Sequence, residues 1–350
     1  MASPDRMPAS PLSARLHVDT AAIVANWRRF AVASGPADCG AAIKADGYGL
    51  GARPVLAALA AAGCRDAFVA HWDEVAALGP LPEGVRVAVL HGAAPAEIGM
   101  AMTLPARPVL VTAAQVAAWR ATGRPCDIMV DTGMNRLGLS PAEAVSGLLD
   151  GLAVDTLHSH LACTEEPLHP LNAAQRAVFA DVAARVPARR YALANSGGVC
   201  LGPDYVFGLT RPGIGLYGGG AAPGGARLDP VVQLSAPVLQ VRDVPPGGGV
   251  GYGASFVAAR PTRVAVVGLG YADGYPRSAA GFGVVDGVVC PLIGRVSMDL
   301  TTFDVTDAPA AREGSWIDVG FDLAAMAAAS GRSQYELLTG LGRRYARTYR

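Results

Sequence analysis

The chain has 350 residues, 51% of them hydrophobic, and carries 29 basic against 29 acidic residues. That is enough chain for a barrel plus a smaller domain, and zero net charge leaves no electrostatic footprint for nucleic acid. Six scattered cysteines with no CxxC pair read as small buried hydrophobes in a reducing compartment, not as a disulfide or zinc framework.

Residues 1–13 are rich in Pro and Ser and lack an apolar secretory core, so a flexible leader is expected. No apolar run is long and uninterrupted enough to span a bilayer, and the expected location is cytoplasmic. Leu16 and Val18 predict a short strand. Asp19 and Thr20 then offer N-caps for a helix with Ile23, Trp27 and Phe30 on one face. From there strand-like segments recur over 41–44, 67–70, 86–90, 108–111, 127–130, 156–160, 191–194 and 208–211. Helical stretches rich in Ala and Leu lie between most of them, over 53–62, 72–78, 113–121, 141–149 and 173–186. Gly63, Gly79, Gly123 and Gly151 stand where helices should stop. Strand–helix alternation means a parallel sheet, and eight such strands predict a closed (β/α)8 TIM-type barrel over 14–225. The run 218–227 reads as a linker. Beyond it, short strands over 231–241, 263–267, 283–289, 301–305 and 316–319 alternate with turn signals. They predict a mostly antiparallel β domain over 226–350, closed by a helix over 322–341.

Chemistry in such a barrel gathers at the C-terminal ends of the strands. The first end offers Lys44, the one lysine in the sequence, placed after an apolar strand and before a loop holding Tyr48. Partial desolvation there lowers a lysine pKa and makes the amine a usable nucleophile or base. An ordinary lysine reaching from a strand end to water is the plain alternative. The seventh and eighth ends carry Asn195-Ser196-Gly197-Gly198 and Arg211-Pro212-Gly213-Ile214-Gly215. A hydroxyl from Ser196 and backbone N–H groups of Gly213 and Ile214 would cradle a phosphate. A phosphate site with a strand-end lysine points to pyridoxal phosphate, which needs a lysine and a partner for its pyridine nitrogen. Arg211 can only donate to that nitrogen, which keeps the ring a weak electron sink. His160 could orient Arg211 or be a satisfied core histidine. His158 is set aside as pointing to the opposite face. Arg136 could hold a carboxylate in a bidentate pair. Two tyrosine- and glycine-rich stretches of the second domain, 249–253 and 268–277, are unusual for plain turns, but spacing does not bring them to Lys44.

Taken in order, AIKADGYG, DTGMNRLG, SHLAC, NSGG, RPGIGLYG, VGYG, GYADGYPR and GRVSMD resemble the bacterial alanine racemases, fold-type III pyridoxal-phosphate enzymes. The resemblance runs from about Leu16 to near the C-terminus. It implies an isomerase in which Lys44 carries the cofactor and acts as base on one substrate face, with Tyr252 as base on the other. In that family the tyrosine comes from the partner subunit, so a homodimer with shared sites is implied. Tyr48, Ser196, Gly213 and Ile214 match phosphate contacts, and Asn195 belongs to the same cofactor-binding loop. Arg211 matches the pyridine partner and His160 its hydrogen-bonded neighbour. Arg136 matches the residue near the substrate carboxylate. Met298 and Asp299 match positions lining the substrate pocket, and Tyr271 a gate residue on the way in. The implied reaction is racemisation of L- and D-alanine, serving either D-alanine biosynthesis for peptidoglycan or amino-acid breakdown.

Two positions depart from the family. Many members carry a carbamylated lysine two residues before the Asp of DTGM, and here Met129 stands there, so no such modification is expected. Arg136 must then be held by another group, with Asn135 or a bound anion as the options. The position of a C-terminal phosphate-binding tyrosine is matched by Arg343, and no contact is assigned to it. The main alternative is a racemase of the same fold acting on serine or basic amino acids. A non-catalytic cofactor-binding barrel would leave the second domain and Tyr252 unexplained.

Overall fold

Apolar strands and Ala- and Leu-rich helices alternate from residue 38 to residue 210, and the strands pair in parallel. The computed structural model describes residue 10, residues 12–279 and residues 281–350. Most of the expected leader, residues 1–9 and 11, therefore lies outside the described residues. The chain forms two compact units, one of them Ala21–Asp229. In that unit the first strand is split at Gly40 into Asp38–Cys39 and Ala41–Ala42. Asp66–Val69, Arg86–Val89, Ala106–Leu110, Cys126–Met129, Val154–His158 and Arg190–Ala192 follow Ala41–Ala42 side by side in chain order. Leu209–Thr210 pairs in parallel with Asp38–Cys39. On its other side, the amides of Gly208 and Arg211 donate to the carbonyls of Tyr191 and Ala194. The ring is thereby closed.

The helices cover this ring with the apolar faces their sequences provide. Ile23, Trp27 and Phe30 are buried from Thr20–Ala33, and Val55, Leu56 and Leu59 from Ala52–Ala61. The helix expected over 141–149 stops after Pro141–Ala144, where Ser146 bonds back to the Glu143 carbonyl and Gly147 takes a positive φ of 89°. The first strand also ends sooner than expected, at Ala42, and Lys44 opens a turn instead.

Charged residues fill the end of the barrel where the strands begin. Arg190 reaches Asp38 at 2.7 Å, Asp66 at 2.8 Å and Asp155 at 3.3 Å. Arg86 bonds Asp66 at 2.7 Å, and Arg107 bridges Asp127 at 3.3 Å and Asp155 at 2.8 Å. Burial raises the Asp66 pKa, but the hydrogen bonds from Arg190 and Arg86 outweigh it and bring the group down to about 2. A carboxylate whose folded pKa lies below its unfolded value of about 3.9 adds stability above that value and loses it as protons bind. The barrel should therefore lose stability between about pH 4 and pH 2. Denaturation midpoints across that range, compared with Asp66→Asn, check this; the variant should show a shallower acid limb.

The second unit is a sheet whose strands pair mostly antiparallel. Val232–Val244 is its central strand. It pairs with Trp316–Val319 at its start and with Thr262–Val267 at its end, across an irregularity between Val238 and Gln240. Arg15–Val18 was expected within 14–225, in the barrel. It instead pairs antiparallel with Val232–Ser235 and parallel with Ala346–Tyr349, with Leu16 and Val18 fully buried. The strand is held on both edges there, so it belongs to this unit. Two further differences trace to glycine. The strand expected over 283–289 is a hairpin of Phe282–Val285 and Val288–Pro291, turned at Asp286 and Gly287 with φ of 47° and 81°. The helix expected over 322–341 is two, Leu323–Ser330 and Gln334–Thr339, parted at Gly331 and restarted by a Ser333–Glu336 capping box. Among the described residues no helix is long and apolar enough to cross a membrane.

Candidate active site

Lys44 lies two residues past the end of the first barrel strand. The four residues after it, Ala45, Asp46, Gly47 and Tyr48, all hold positive φ, at 55°, 53°, 64° and 55°. The chain thus makes a left-handed turn in which only one residue is glycine. The Lys44 pKa lies below the ordinary lysine value. Burial is the main cause, the charges of Arg136 and Arg211 add to it, and Glu74 opposes it. Lys44 therefore shares one mouth of the barrel with both arginines. The Tyr48 ring, buried at the end of the turn, stacks on Tyr217 with centroids 4.5 Å apart.

Ser196 and the loop after Leu209–Thr210 meet beside that turn. Ser196 Oγ accepts from the amides of Gly213 at 2.9 Å and Gly215 at 3.2 Å. A Cβ on Gly213 would sit 2.2 Å from the Tyr48 hydroxyl. Only glycine lets the backbone come this close to Tyr48. Ile214 opens the turn that follows, Ile214–Tyr217. Asn195 acts locally: its Oδ1 accepts from the Gly198 amide at 2.8 Å and caps Ser196–Cys200. Tyr48, Ser196, Gly213 and Ile214 thus line one small backbone cradle, with a hydroxyl at either side. A phosphate group fits a site of this chemistry.

Arg211 is buried in the barrel, with its pKa brought down to about 10 by that burial. It donates to the Ala192 carbonyl at 2.7 Å, the Ser159 carbonyl at 2.5 Å and His158 Nδ1 at 3.0 Å. The histidine bonded to Arg211 is thus His158, and the expectation for His160 is corrected. Residues two apart share a strand face, so alternation places His158 with His160 and not opposite it. His158 Nδ1 must accept, so its proton sits on Nε2, which faces Asp127 Oδ2 at 3.2 Å. Burial lowers the His158 pKa against the pull of Asp127, which suits this neutral form. Among the described residues the His160 ring makes no hydrogen bond to Arg211. It lies within the field of Arg211, Arg136 and Lys44, and with burial as the largest cause its pKa falls to about 3. His158 and Asp127 are the members of this site that sequence reasoning missed. The available signal was an acid inside the otherwise apolar strand Cys126–Met129 beside a strand ending in histidine.

Arg136 is exposed on the loop after Cys126–Met129, and its backbone is fixed by a group not foreseen. Asp131 Oδ1 accepts from Gly133 at 2.9 Å and Asn135 at 3.0 Å, and Oδ2 accepts from the Arg136 amide at 2.6 Å. Burial raises the Asp131 pKa, but these amides outweigh it and hold the carboxylate below its usual range. Met129, at the position of the modified lysine, is packed at 8% exposure under Gly138.

The other expected residues lie on the second unit. Tyr252 is 65% exposed, and the Arg277 guanidinium lies 6.0 Å from its ring and 5.9 Å from that of Tyr271. The Met298 carbonyl accepts from the Ala272 amide at 2.9 Å, and its side chain is exposed. Asp299 pairs with Arg344 at 2.7 Å.

Known proteins share this architecture along the whole chain. Residues 18–221 match the family model of the alanine racemase N-terminal domain, and residues 231–349 that of the C-terminal domain. An alanine racemase of Acidiphilium cryptum is 45% identical over 348 residues, covering 95% of this chain and 97% of its own. One of Rhodospirillum rubrum is 46% identical over 358 residues, covering 96% of each. The crystal structure of alanine racemase from Bartonella henselae, with covalently bound pyridoxal phosphate, superposes with a TM-score of 0.87 at 36% identity, over 97% of this chain and 100% of that one. With both domain models matched in tandem and relatives aligned almost end to end, this chain belongs to the alanine racemase family.

Proposed function

We propose that the protein is a pyridoxal-phosphate-dependent racemase that interconverts L- and D-alanine with one base on each face of the substrate. The observation that carries this reading is Lys44, an amine with a depressed pKa in one barrel mouth with Arg136 and Arg211. When bound, pyridoxal phosphate supplies an electron sink that acidifies the α-proton of an attached amino acid. Ser196, Tyr48 and the backbone of Gly213 and Ile214 would hold its phosphate, with Asn195 capping the loop. Arg211 would donate to its ring nitrogen. Neutral His158 accepts from Arg211 and would pass no proton toward that nitrogen, which would bias the site to simple proton exchange. Arg136 pairs with the substrate carboxylate on a loop that Asp131 ties down. Lys44 Nζ removes or returns the α-proton on one face. The partner subunit's Tyr252 serves the other, which makes the enzyme a homodimer with shared sites. We place the enzyme in the cytoplasm.

L-Alanine in heavy water, with purified protein and pyridoxal phosphate, tests the reading. Loss of the α-proton and appearance of D-alanine should occur together. Exchange without D-alanine would leave one base working and remove the role given to Tyr252. Turnover of serine or lysine in preference to alanine would move the substrate assignment, and inactivity toward all three would end it.

A further inference from the structure

The left-handed turn after Lys44 has a support that lies outside it. Three of its four residues carry side chains, and each non-glycine residue at positive φ is disfavoured. Local hydrogen bonds help: Gly49 N donates to the Ala45 carbonyl and Gly51 N to the Asp46 carbonyl, both at 2.7 Å. They do not fix where the turn leaves the strand. That position is held by Glu74, in the helix Trp72–Leu78. Glu74 Oε1 accepts from the Ala45 amide at 2.6 Å. Its other oxygen accepts from the amides of Ala70 at 2.6 Å and His71 at 3.3 Å. One carboxylate therefore joins the residue after Lys44 to the end of the neighbouring strand. The two oxygens face three N–H donors, so the bridge needs an acceptor on both sides of the group.

We propose that Glu74 is a positioning residue for Lys44: by clamping the Ala45 amide to the end of strand Asp66–Val69, it holds the left-handed turn that aims the lysine amine into the barrel mouth. This rests on Lys44 being the amine that takes the cofactor. A helix-capping role alone would need only the bonds to Ala70 and His71. The bond to Ala45 spans 29 residues and serves no helix. Glutamine is nearly the same size but would present an NH2 group to one set of these donors, so Glu74→Gln breaks the bridge without emptying the space.

Charge and position predict opposite signs for Lys44. Besides Glu74, which raises its pKa, Lys44 faces Arg136 and Arg211, which lower it, and it lowers that of His91 and His160 in turn. Loss of the Glu74 charge alone would lower the Lys44 pKa further. Release of the turn would return the amine to water and raise it. The experiment measures the Lys44 pKa from the pH dependence of its acetylation by acetic anhydride in the full cofactor-free chain. It also measures the rate at which added pyridoxal phosphate becomes fixed to Lys44 by borohydride.

In Glu74→Gln the pKa should rise and fixation should slow about tenfold. Ala45→Gly added to Glu74→Gln should restore both, because glycine accepts the left-handed conformation without the bridge, while the helix cap stays broken. A fall in pKa with unchanged fixation would show that Glu74 acts by charge and would overturn the proposal. So would a lowered melting temperature with Lys44 unaltered, or a failure of Ala45→Gly to rescue. A parent chain that takes no pyridoxyl label at Lys44 would instead reject the lysine assignment, and the proposal with it.

Discussion

Lys44→Ala is expected to lower alanine racemisation at least about a thousandfold. It should also leave no pyridoxyl label at position 44 after borohydride reduction. The size follows from two duties resting on one nitrogen. The amine must take the cofactor, and it must carry a proton at the substrate Cα. Both need the neutral amine, and the environment favours that form, first by burial and then by the nearby charges of Arg136 and Arg211. Lys44→Arg should lose as much activity, because a guanidinium stays protonated and cannot act as base. Initial rates from both enantiomers, with circular dichroism to show an intact fold, check this. A variant at either substitution that keeps a tenth of the parent rate would place the base elsewhere.

Arg190→Leu is expected to destabilise the barrel by about 3–5 kcal/mol. Arg190 is 7% exposed and meets carboxylates from three strands, at Asp38, Asp66 and Asp155. Removing it leaves those carboxylates facing one another at the closed end of the ring. Asp66 keeps Arg86, and Asp155 keeps Arg107 and Arg189, which places the loss toward the lower figure. For a unit of this size, about 3 kcal/mol lowers the melting temperature by roughly 6–12 °C. Calorimetry on parent and variant reads the shift. Pairing the change with Asp66→Asn should recover part of it, since one buried charge is then removed with its partner. The affinity for pyridoxal phosphate should change little, because the cradle lies at the other end of the strands.

The barrel was legible because its signals are local. Apolar segments such as Asp66–Val69 and helices such as Trp72–Leu78 carry their own periodicity and stop signals. The residues gathered at the barrel mouth were legible for the same reason, since strand ends are read off strand positions. What escaped depends on distant partners. The conformation of Ala45 and Asp46 is supported by Glu74, and nothing in the turn itself announces a left-handed path. The bond between Arg211 and His158 spans 53 residues, and the pattern His158-Ser159-His160 does not say which ring it uses. The hairpin at Asp286-Gly287 was different: its signal stood in the sequence, inside a segment read as a single strand.

The pairing of Arg15–Val18 sets an order of events during synthesis. His17 and Thr348, neighbours in the sheet, are 331 residues apart. At ribosomal rates the first strand waits on the order of tens of seconds for Ala346–Tyr349 to be made. The barrel has all its own strands by residue 210 and can close in the meantime. The second unit cannot, because its sheet takes a strand from each side of the barrel segment. Until residues 346–349 emerge, one edge of Arg15–Val18 stays unpaired, and this is the interval in which a chaperone would have most to bind.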